Sequence, residues 1–189
     1  MKDIHIVIGK NEEKIVPFIW IDEEKDEVNF HAELVGEGAS LTLVGIFIGR
    51  GSKSITFNTD VIHKAPKTKS LTHIRGVFMD RSTFNNDGMV RIWKGAKGAD
   101  GYFASKILLF DDSKGRSVPS LEIDENDLKA GHASTVGRPD ENQIFYLRSR
   151  GLSEIEAEKL IVSGFFESTL TMLSKGDQKH ARKQIEDAL

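Results

Sequence analysis

The first two thirds of the chain consist of short runs in which apolar and polar residues tend to alternate. The runs are rich in Val, Ile, Thr and Phe, and a period of two is typical of strands with one buried face. They are IHIVI (4–8), KIVPFIWI (14–21), VNFHAELV (28–35), SLTLVGIFIG (40–49), SITFNTDVIHKA (54–65), SLTHIRGVFMD (70–80), MVRIWKG (89–95), YFASKILLF (102–110) and SLEID (120–124). Segments typical of turns, such as GEGAS and NNDG, separate them. The pattern predicts an all-β body.

The periodicity leaves the arrangement of these strands open. A sandwich, a barrel and a β-helix all use strands of this kind. The spacing from run to run is irregular, and the chain has no clean hexapeptide repeat of the kind that marks some solenoids. The alternation therefore predicts the fold class and not the architecture.

After about residue 137 the pattern becomes helical. In the segment RPDENQIFYLRSRG, Asp140 is a candidate N-cap with Gln143 three residues later. Gly151 stands where a glycine commonly ends a helix. A first helix is therefore predicted near residues 140–150.

A second helix is predicted near residues 154–174. Ser153 and Glu156 form a capping-box pattern at its start, Gly176 is expected to close it, and Asp177 could cap a short final helix. The apolar positions of the second helix fall on one helical face. They are Ile155, Leu160, Ile161, Phe165, Leu170 and Leu173.

The domain organisation follows from this change of pattern. The β body is assigned to residues 1–137 and a C-terminal helical domain to residues 138–189. No Pro-, Gly- or Ser-rich linker separates the two parts, so the helices are expected to pack on the body.

Composition narrows the classes of function. Of the 189 residues, 39% are hydrophobic and 29% are charged, and the net charge of −3 predicts no basic field for nucleic acid or anionic lipid. No apolar run approaches the roughly 18 residues of a membrane span, and the N-terminus lacks the apolar centre of a secretory signal. We therefore expect a cytoplasmic protein that binds neither nucleic acid nor membrane. The lack of cysteine removes thiolate nucleophiles and zinc-finger sites.

Four short fragments are similar to motifs of β-helical polygalacturonases, namely NTD (58–60), RIW (91–93), DD (111–112) and GH (131–132). Those enzymes need facing carboxylates around a glycosidic bond. Here RIW precedes DD, and Ala133 replaces the glycine that follows the histidine in that motif. A β-helical carbohydrate-active enzyme therefore stays only as an alternative function.

The histidines show none of the local spacings that predict a metal site, such as HxH or HExxH. His5 and His31 lie in strand runs, and His63 and His73 flank APKTKS. These four are predicted to be ordinary surface or core side chains. His132 differs, because it lies in a segment of small residues, predicted to be a loop, just before the helices. There it could face a cleft or an interface, or only hydrogen-bond to a carbonyl.

Three longer blocks resemble the SufB/SufD family, the scaffold of the SUF system of iron–sulfur cluster assembly. They are HKAPKTKSLTHIRGVFMDRSTFNNDGMV (63–90), PSLEIDENDLKAGHASTVG (119–137) and DENQIFYLRSRGLSEIEAEKLIVSGFFE (140–167). The resemblance runs from about residue 35 to about residue 170, and the last two blocks are the most specific. It implies a right-handed parallel β-helix followed by a small helical domain, in agreement with the all-β and then all-α pattern.

The resemblance also implies a function. In the family, two β-helices associate, the C-terminal helices hold a SufC ATPase, and the cluster is assembled at the SufB–SufD interface with sulfur delivered as persulfide. The chain is thus expected to be a non-enzymatic scaffold. Its expected partners are a SufC-like ATPase and either a SufB-like subunit or a second copy in a homodimer. A β-helix interaction module without cluster chemistry is the other alternative.

The helix near residues 154–174 is expected to carry the contact with the ATPase. The residues assigned to that contact are Ile161, Phe165, Phe166 and Leu170. Aromatic side chains often dominate such interfaces, so an outward-pointing Phe166 would contribute on the order of 2 kcal/mol to the affinity.

The segment KAGHAST (129–135) resembles the KCSHGAT sequence of SufD-like members. His132 matches their interface histidine, Ala130 stands at the cysteine, and Ala133 stands where SufB-like members have glutamate. The resemblance is therefore to the SufD type, and the chain is expected to be a short form without the additional N-terminal portion of full-length members. His132 is expected to bind a metal or a transient iron–sulfur cluster at a shared interface, because imidazole coordinates iron. No cofactor is expected on this chain alone, and the thiols would come from a partner.

Overall fold

The computed structural model describes residues 1–21 and 27–189, which form ten strands and three helices. The strands are β1 (Lys2–Ile8), β2 (Glu13–Ile21), β3 (Glu27–Leu34), β4 (Ser40–Gly49), β5 (Ser54–His63), β6 (Lys69–Phe78), β7 (Thr83–Ile92), β8 (Ala99–Leu109), β9 (Lys114–Ile123) and β10 (Leu128–Gly137). The helices are α1 (Glu141–Ser149), α2 (Glu154–Leu170) and α3 (Lys175–Ala188).

The chain alternates between two sheets as it coils. Sheet A has the strand order β1-β3-β5-β7-β9, and sheet B has the order β10-β8-β6-β4-β2. Neighbouring strands in each sheet are parallel. Each turn of the coil thus adds one strand to each sheet, and five turns make a parallel β-helix. The predicted β-helix with a helical C-terminus is confirmed.

The structural repeat is one whole turn of the coil. Ser40 pairs with Lys69 in sheet B, and in sheet A the side chain of Asn58 donates to Asn29 Oδ1 at 3.1 Å, across 29 positions. Each repeat therefore contains two strands of unrelated sequence and two turns. A repeat of this length leaves no hexapeptide signature in the sequence.

An aromatic stack fills the space between the two sheets. Phe47 lies at its centre, with its ring centroid 4.9 Å from that of Phe57 and 5.2 Å from that of Phe84. Phe18 and Phe78 continue the stack on either side. Each of these residues lies on the inward-facing side of its strand, and every second side chain of a strand points to that side, which is the physical basis of the period-two pattern. Burial of these rings contributes to stability together with the aliphatic side chains of the same core.

A second apolar cluster lies on the outer face of sheet B, under the helices. Strand β4 is buried on both faces from Leu43 to Gly49, because its outer side chains Val44, Ile46 and Ile48 contact the helical layer. This explains why its sequence is a nearly continuous apolar run, as parallel strands covered on both sides require. The helices therefore pack on the body as predicted.

The helix ends agree in part with the sequence signals. Asp140 accepts a hydrogen bond from the Asn142 amide at 2.9 Å, and Ser153 forms the predicted capping box with Glu156. Gly151 has a φ of +98°, which favours glycine at the end of α1. No helix within the described residues is long and apolar enough to cross a membrane.

Two local predictions are wrong. Helix α2 ends at Leu170, and Gly176 lies inside α3, whose N-cap is Ser174 rather than Asp177. Ser174 can cap because its hydroxyl accepts from the Asp177 amide at 3.2 Å. The segment around His132, predicted to be a loop, is strand β10. Pairing with β8 holds small residues of low strand propensity in an extended conformation.

Candidate functional site

His132 lies on strand β10, which forms the outer edge of sheet B in the last turn. In register, His132 is opposite Phe103, whose side chain points into the β-helix. His132 therefore projects from the interior-facing side of its strand. It is nevertheless exposed, because no further turn covers this end in the part of the chain that the structure describes.

The open end of the β-helix presents two free strand edges, those of β9 and β10. A hydrogen bond links the two strands, since Ser134 Oγ donates to the Ser117 carbonyl at 3.2 Å. Ala130 and Ser134 flank His132 on the same side of β10. Across residues 1–21 and 27–189, the imidazole of His132 has no hydrogen-bond or ion-pair partner. Its ring nitrogens are therefore available to a ligand from outside the chain.

Within residues 1–21 and 27–189, His132 belongs to no group of three or more His, Asp or Glu donors that could hold a metal ion. His132 offers one imidazole nitrogen, Ser134 offers a hydroxyl already used as a donor, and the chain has no cysteine. Iron–sulfur clusters are bound mainly by thiolates, with histidine as an occasional replacement. The geometry is suited to one ligand of a site that a second protein completes.

A groove of about 730 Å³ lies between strands β8 and β10 of sheet B and the first two helices. Its lining includes Lys106 and Thr135 from sheet B, Tyr146 from α1, and Leu160 and Phe165 from α2. The cationic groups of Arg75 and Lys106 lie 5.7 and 5.8 Å from the Phe165 ring centroid. The groove therefore combines an apolar floor with basic side chains.

The four residues predicted to contact a partner fall into two groups. Phe166 and Leu170 are buried against the outer face of sheet B and offer no surface to a partner. The sequence assigned these two residues to the partner contact, but in the structure the sheet covers this side of the helix. Ile161 and Phe165 are half-buried and line the groove.

The exposed apolar side chains of the helical layer were missed by the sequence-based assignment. They are Phe145, Tyr146, Ile155 and Leu160. Two of them, Tyr146 and Leu160, line the groove. The FYLRSRG motif contains Phe145 and Tyr146, and its conspicuous aromatic pair was the signal that could have identified them.

The motifs similar to those of polygalacturonases do not form a common site. Asp60 lies on the outer face of sheet A, where it accepts from Arg91 Nε at 3.0 Å. Asp111 lies in a turn, and its carboxylate accepts from the Asp80 amide at 2.9 Å. His132 lies at the open end. The carboxylates needed on either side of a glycosidic bond are therefore on different surfaces.

The outer face of sheet A holds another group of potential metal ligands. One donor atom from each of His5, His31 and Glu33 lies within 4.8 Å of the other two. These histidines were predicted to be ordinary side chains, because local spacing cannot reveal a contact made by strand pairing.

Comparison with known proteins identifies relatives of this chain. Residues 20–165 match the family described as SUF system FeS cluster assembly, SufBD core domain. The iron–sulfur cluster assembly protein SufD of Bacillus subtilis is 35% identical over 133 residues, which cover 70% of this chain and 30% of the relative. A SufBD family iron–sulfur cluster assembly protein of Mycobacterium leprae is 28% identical over 179 residues, which cover 90% and 46%. The chain thus spans less than half the length of these relatives.

Proposed function

Since this chain belongs to the SufBD family of iron–sulfur cluster assembly proteins and is SufD-like, we propose that it acts as a scaffold subunit. In this role it pairs with a second β-helical subunit at its open end and docks a SufC-like ATPase on its helical layer. The observation that carries the proposal is the position of His132. It is an exposed imidazole on the edge strand β10, at the residue that resembles the SufD interface histidine.

Strand edges make the open end suitable for pairing. The free backbone groups of β9 and β10 can form hydrogen bonds with strands of another chain, as edge strands commonly do. The partner can be a SufB-like subunit or a second copy, and in the second case the contact is isologous. Either arrangement brings His132 to the shared surface.

In this proposal the iron–sulfur cluster is assembled at the shared surface and is not a resident cofactor of this chain. His132 supplies one nitrogen ligand, and the partner supplies thiolates, because Ala130 stands at the cysteine position of SufD-like relatives. A homodimer alone would lack thiolates, so cluster assembly in this proposal requires a cysteine-bearing subunit.

Anaerobic reconstitution with a cysteine-bearing SufB-like subunit tests the proposal. We expect the mixture to form an iron–sulfur chromophore and this chain alone to form none. His132→Ala is expected to lower retention of the cluster by at least about tenfold, since loss of even a supporting group beside a metal has effects of this size. Absorption and iron content report the result. His180→Ala, at an exposed position of α3, is the matched control. An equal chromophore with His132→Ala would contradict the role of this histidine.

The groove between sheet B and the helices is the proposed docking surface for the ATPase. Its apolar floor and the basic groups of Lys106 and Arg138 suit a partner segment with apolar residues flanked by acidic ones. Leu160 is 51% exposed at its rim, so it can contact a partner without supporting the core.

Leu160→Ala is expected to weaken binding of the cognate SufC-like ATPase by on the order of 2 kcal/mol, roughly thirtyfold. Isothermal titration calorimetry measures this change. Ile15→Ala, at a similarly exposed apolar position on β2, is the control and is expected to bind as the wild-type chain does. Unchanged affinity of the Leu160 variant, with an intact fold, would remove the groove from the interface.

A further inference from the structure

Strand pairing brings two histidines side by side on the outer face of sheet A. His5 on β1 is directly in register with His31 on β3, and their ring centroids are 5.1 Å apart. Glu33 lies two positions beyond His31 and therefore on the same face. Side chains from two neighbouring strands, one from β1 and two from β3, therefore lie close together on the surface.

The donor atoms of these side chains point toward one another. Glu33 Oε1 lies 4.0 Å from His5 Nε2 and 3.9 Å from His31 Nε2. A first-row metal ion with bonds of about 2.0–2.2 Å needs neighbouring donors about 3 Å apart. Small side-chain rotations close this difference, since the side chains of His5 and His31 are 57% and 38% exposed and free to adjust.

The surroundings of His31 favour metal binding through Nε2. Its other ring nitrogen, Nδ1, lies 3.4 Å from Asp60 Oδ2. A carboxylate facing Nδ1 favours the proton on that nitrogen and leaves the Nε2 lone pair for a metal, which is the arrangement commonly found behind metal-binding histidines. Asp60 is itself held by Arg91, whose Nε donates at 3.0 Å.

The charges around the three side chains are nearly balanced. Lys64 Nζ binds the other oxygen of Glu33, Oε2, at 2.7 Å. This contact leaves Oε1 of Glu33 directed at the two histidines. Lys64 and Arg91 face three carboxylates, because Arg91 pairs with Glu122 as well as with Asp60. Binding of a metal ion therefore relies mainly on direct coordination.

We propose that His5, His31 and Glu33 form a binding site for a divalent first-row transition metal ion on the outer face of sheet A. Two imidazoles and one carboxylate are a ligand set that zinc, cobalt and ferrous iron accept. The remaining coordination positions face solvent, which makes the ion exchangeable rather than structural. The site lies on β1 and β3, at the opposite end of the β-helix from His132, and does not depend on the proposed scaffold function.

Titration of the full chain with Co(II) tests the proposal. We expect one ion to bind per chain, with visible absorption bands typical of nitrogen and oxygen ligands. His31→Ala and Glu33→Gln should each weaken Co(II) binding by at least about tenfold. Because His5 lies on an edge strand and is more than half exposed, His5→Gln is a third variant that leaves packing intact, and the same loss is expected for it.

The control variant separates this site from the other histidines. His180→Ala, at an exposed position of α3, should bind Co(II) as the wild-type chain does, with folding of every variant checked by circular dichroism. If folded His31→Ala, His5→Gln and Glu33→Gln variants kept the wild-type affinity, the proposed site would be refuted. It would equally be refuted if His180→Ala abolished binding. Because the probe is the metal alone, failure of this test leaves the scaffold proposal standing, and failure of the reconstitution leaves this site standing.

Discussion

Replacing Phe47 with alanine should destabilise the folded protein by about 3–5 kcal/mol, as large-to-small changes of buried aromatic residues do. Phe47 is fully buried and lies between the rings of Phe57 and Phe84. The surrounding backbone is held by parallel pairing to β2 and β6, so it cannot collapse into the space that the ring leaves. The cavity and the lost contacts therefore both contribute.

Denaturant unfolding followed by circular dichroism measures this change. Phe145→Ala is the matched control, because Phe145 is 74% exposed on α1 and its loss should change stability by no more than about 0.5 kcal/mol. A decrease in the free energy of unfolding of less than about 1 kcal/mol for Phe47→Ala would contradict the role of the aromatic stack in stabilising the fold.

Acid is expected to destabilise the protein well before its carboxylates titrate. His63 is fully buried, with Nδ1 2.8 Å from Thr68 Oγ1 and Nε2 2.8 Å from Ser70 Oγ. Burial lowers the pKa of His63 to about 4, and the nearby Asp100 opposes this only in part. Burial also lowers the pKa of His73 to about 4.

The sign of the effect follows from these pKa values. In the unfolded chain a histidine takes up a proton near pH 6.5, whereas the folded chain keeps His63 neutral down to about pH 4. The stability from neutral His63 is therefore complete above about pH 6.5 and is lost progressively as the pH falls to about 4. For His63 the loss is on the order of 3 kcal/mol at the lower end of this range.

Unfolding free energies are best compared between pH 7 and pH 5, because unfolded histidines take up protons at about pH 6.5, within this interval, whereas carboxyl groups in model peptides titrate at about pH 4. The wild-type chain should lose stability across this interval. His63→Gln should show a shallower loss, and His180→Gln, on the helix surface, should keep the wild-type slope. A flat profile for the wild-type chain between pH 6.5 and pH 5 would contradict a buried neutral His63.

The sequence pattern predicted the individual strands of this fold but not their arrangement. Alternation along β3 and β5 predicts strands, because each has one face against the interior. The coiled architecture is not encoded locally, since a strand pairs with another about 29 residues away after a strand of the other sheet has intervened. Only the family resemblance predicted it.

Some residues of the candidate sites could likewise be identified from the sequence, and others only from the structure. His132 was identified through its motif, although the segment was expected to be a loop rather than strand β10. Helix α2 has apolar side chains on two sides, so the sequence could not show that Phe166 faces the sheet while Leu160 faces solvent. The neighbouring positions of His5 and His31 result from the register of β1 and β3, which no local spacing reveals.

The helical layer also determines when the protein can finish folding during synthesis. Helix α3 packs against β2, and α2 packs against β6, so the last elements made cover strands that leave the ribosome much earlier. Until residues 154–188 have emerged, the outer side chains Val44, Ile46 and Ile48 remain uncovered on the nascent chain. A growing β-helix with this apolar stripe uncovered is expected to be prone to aggregation until the helices pack on it.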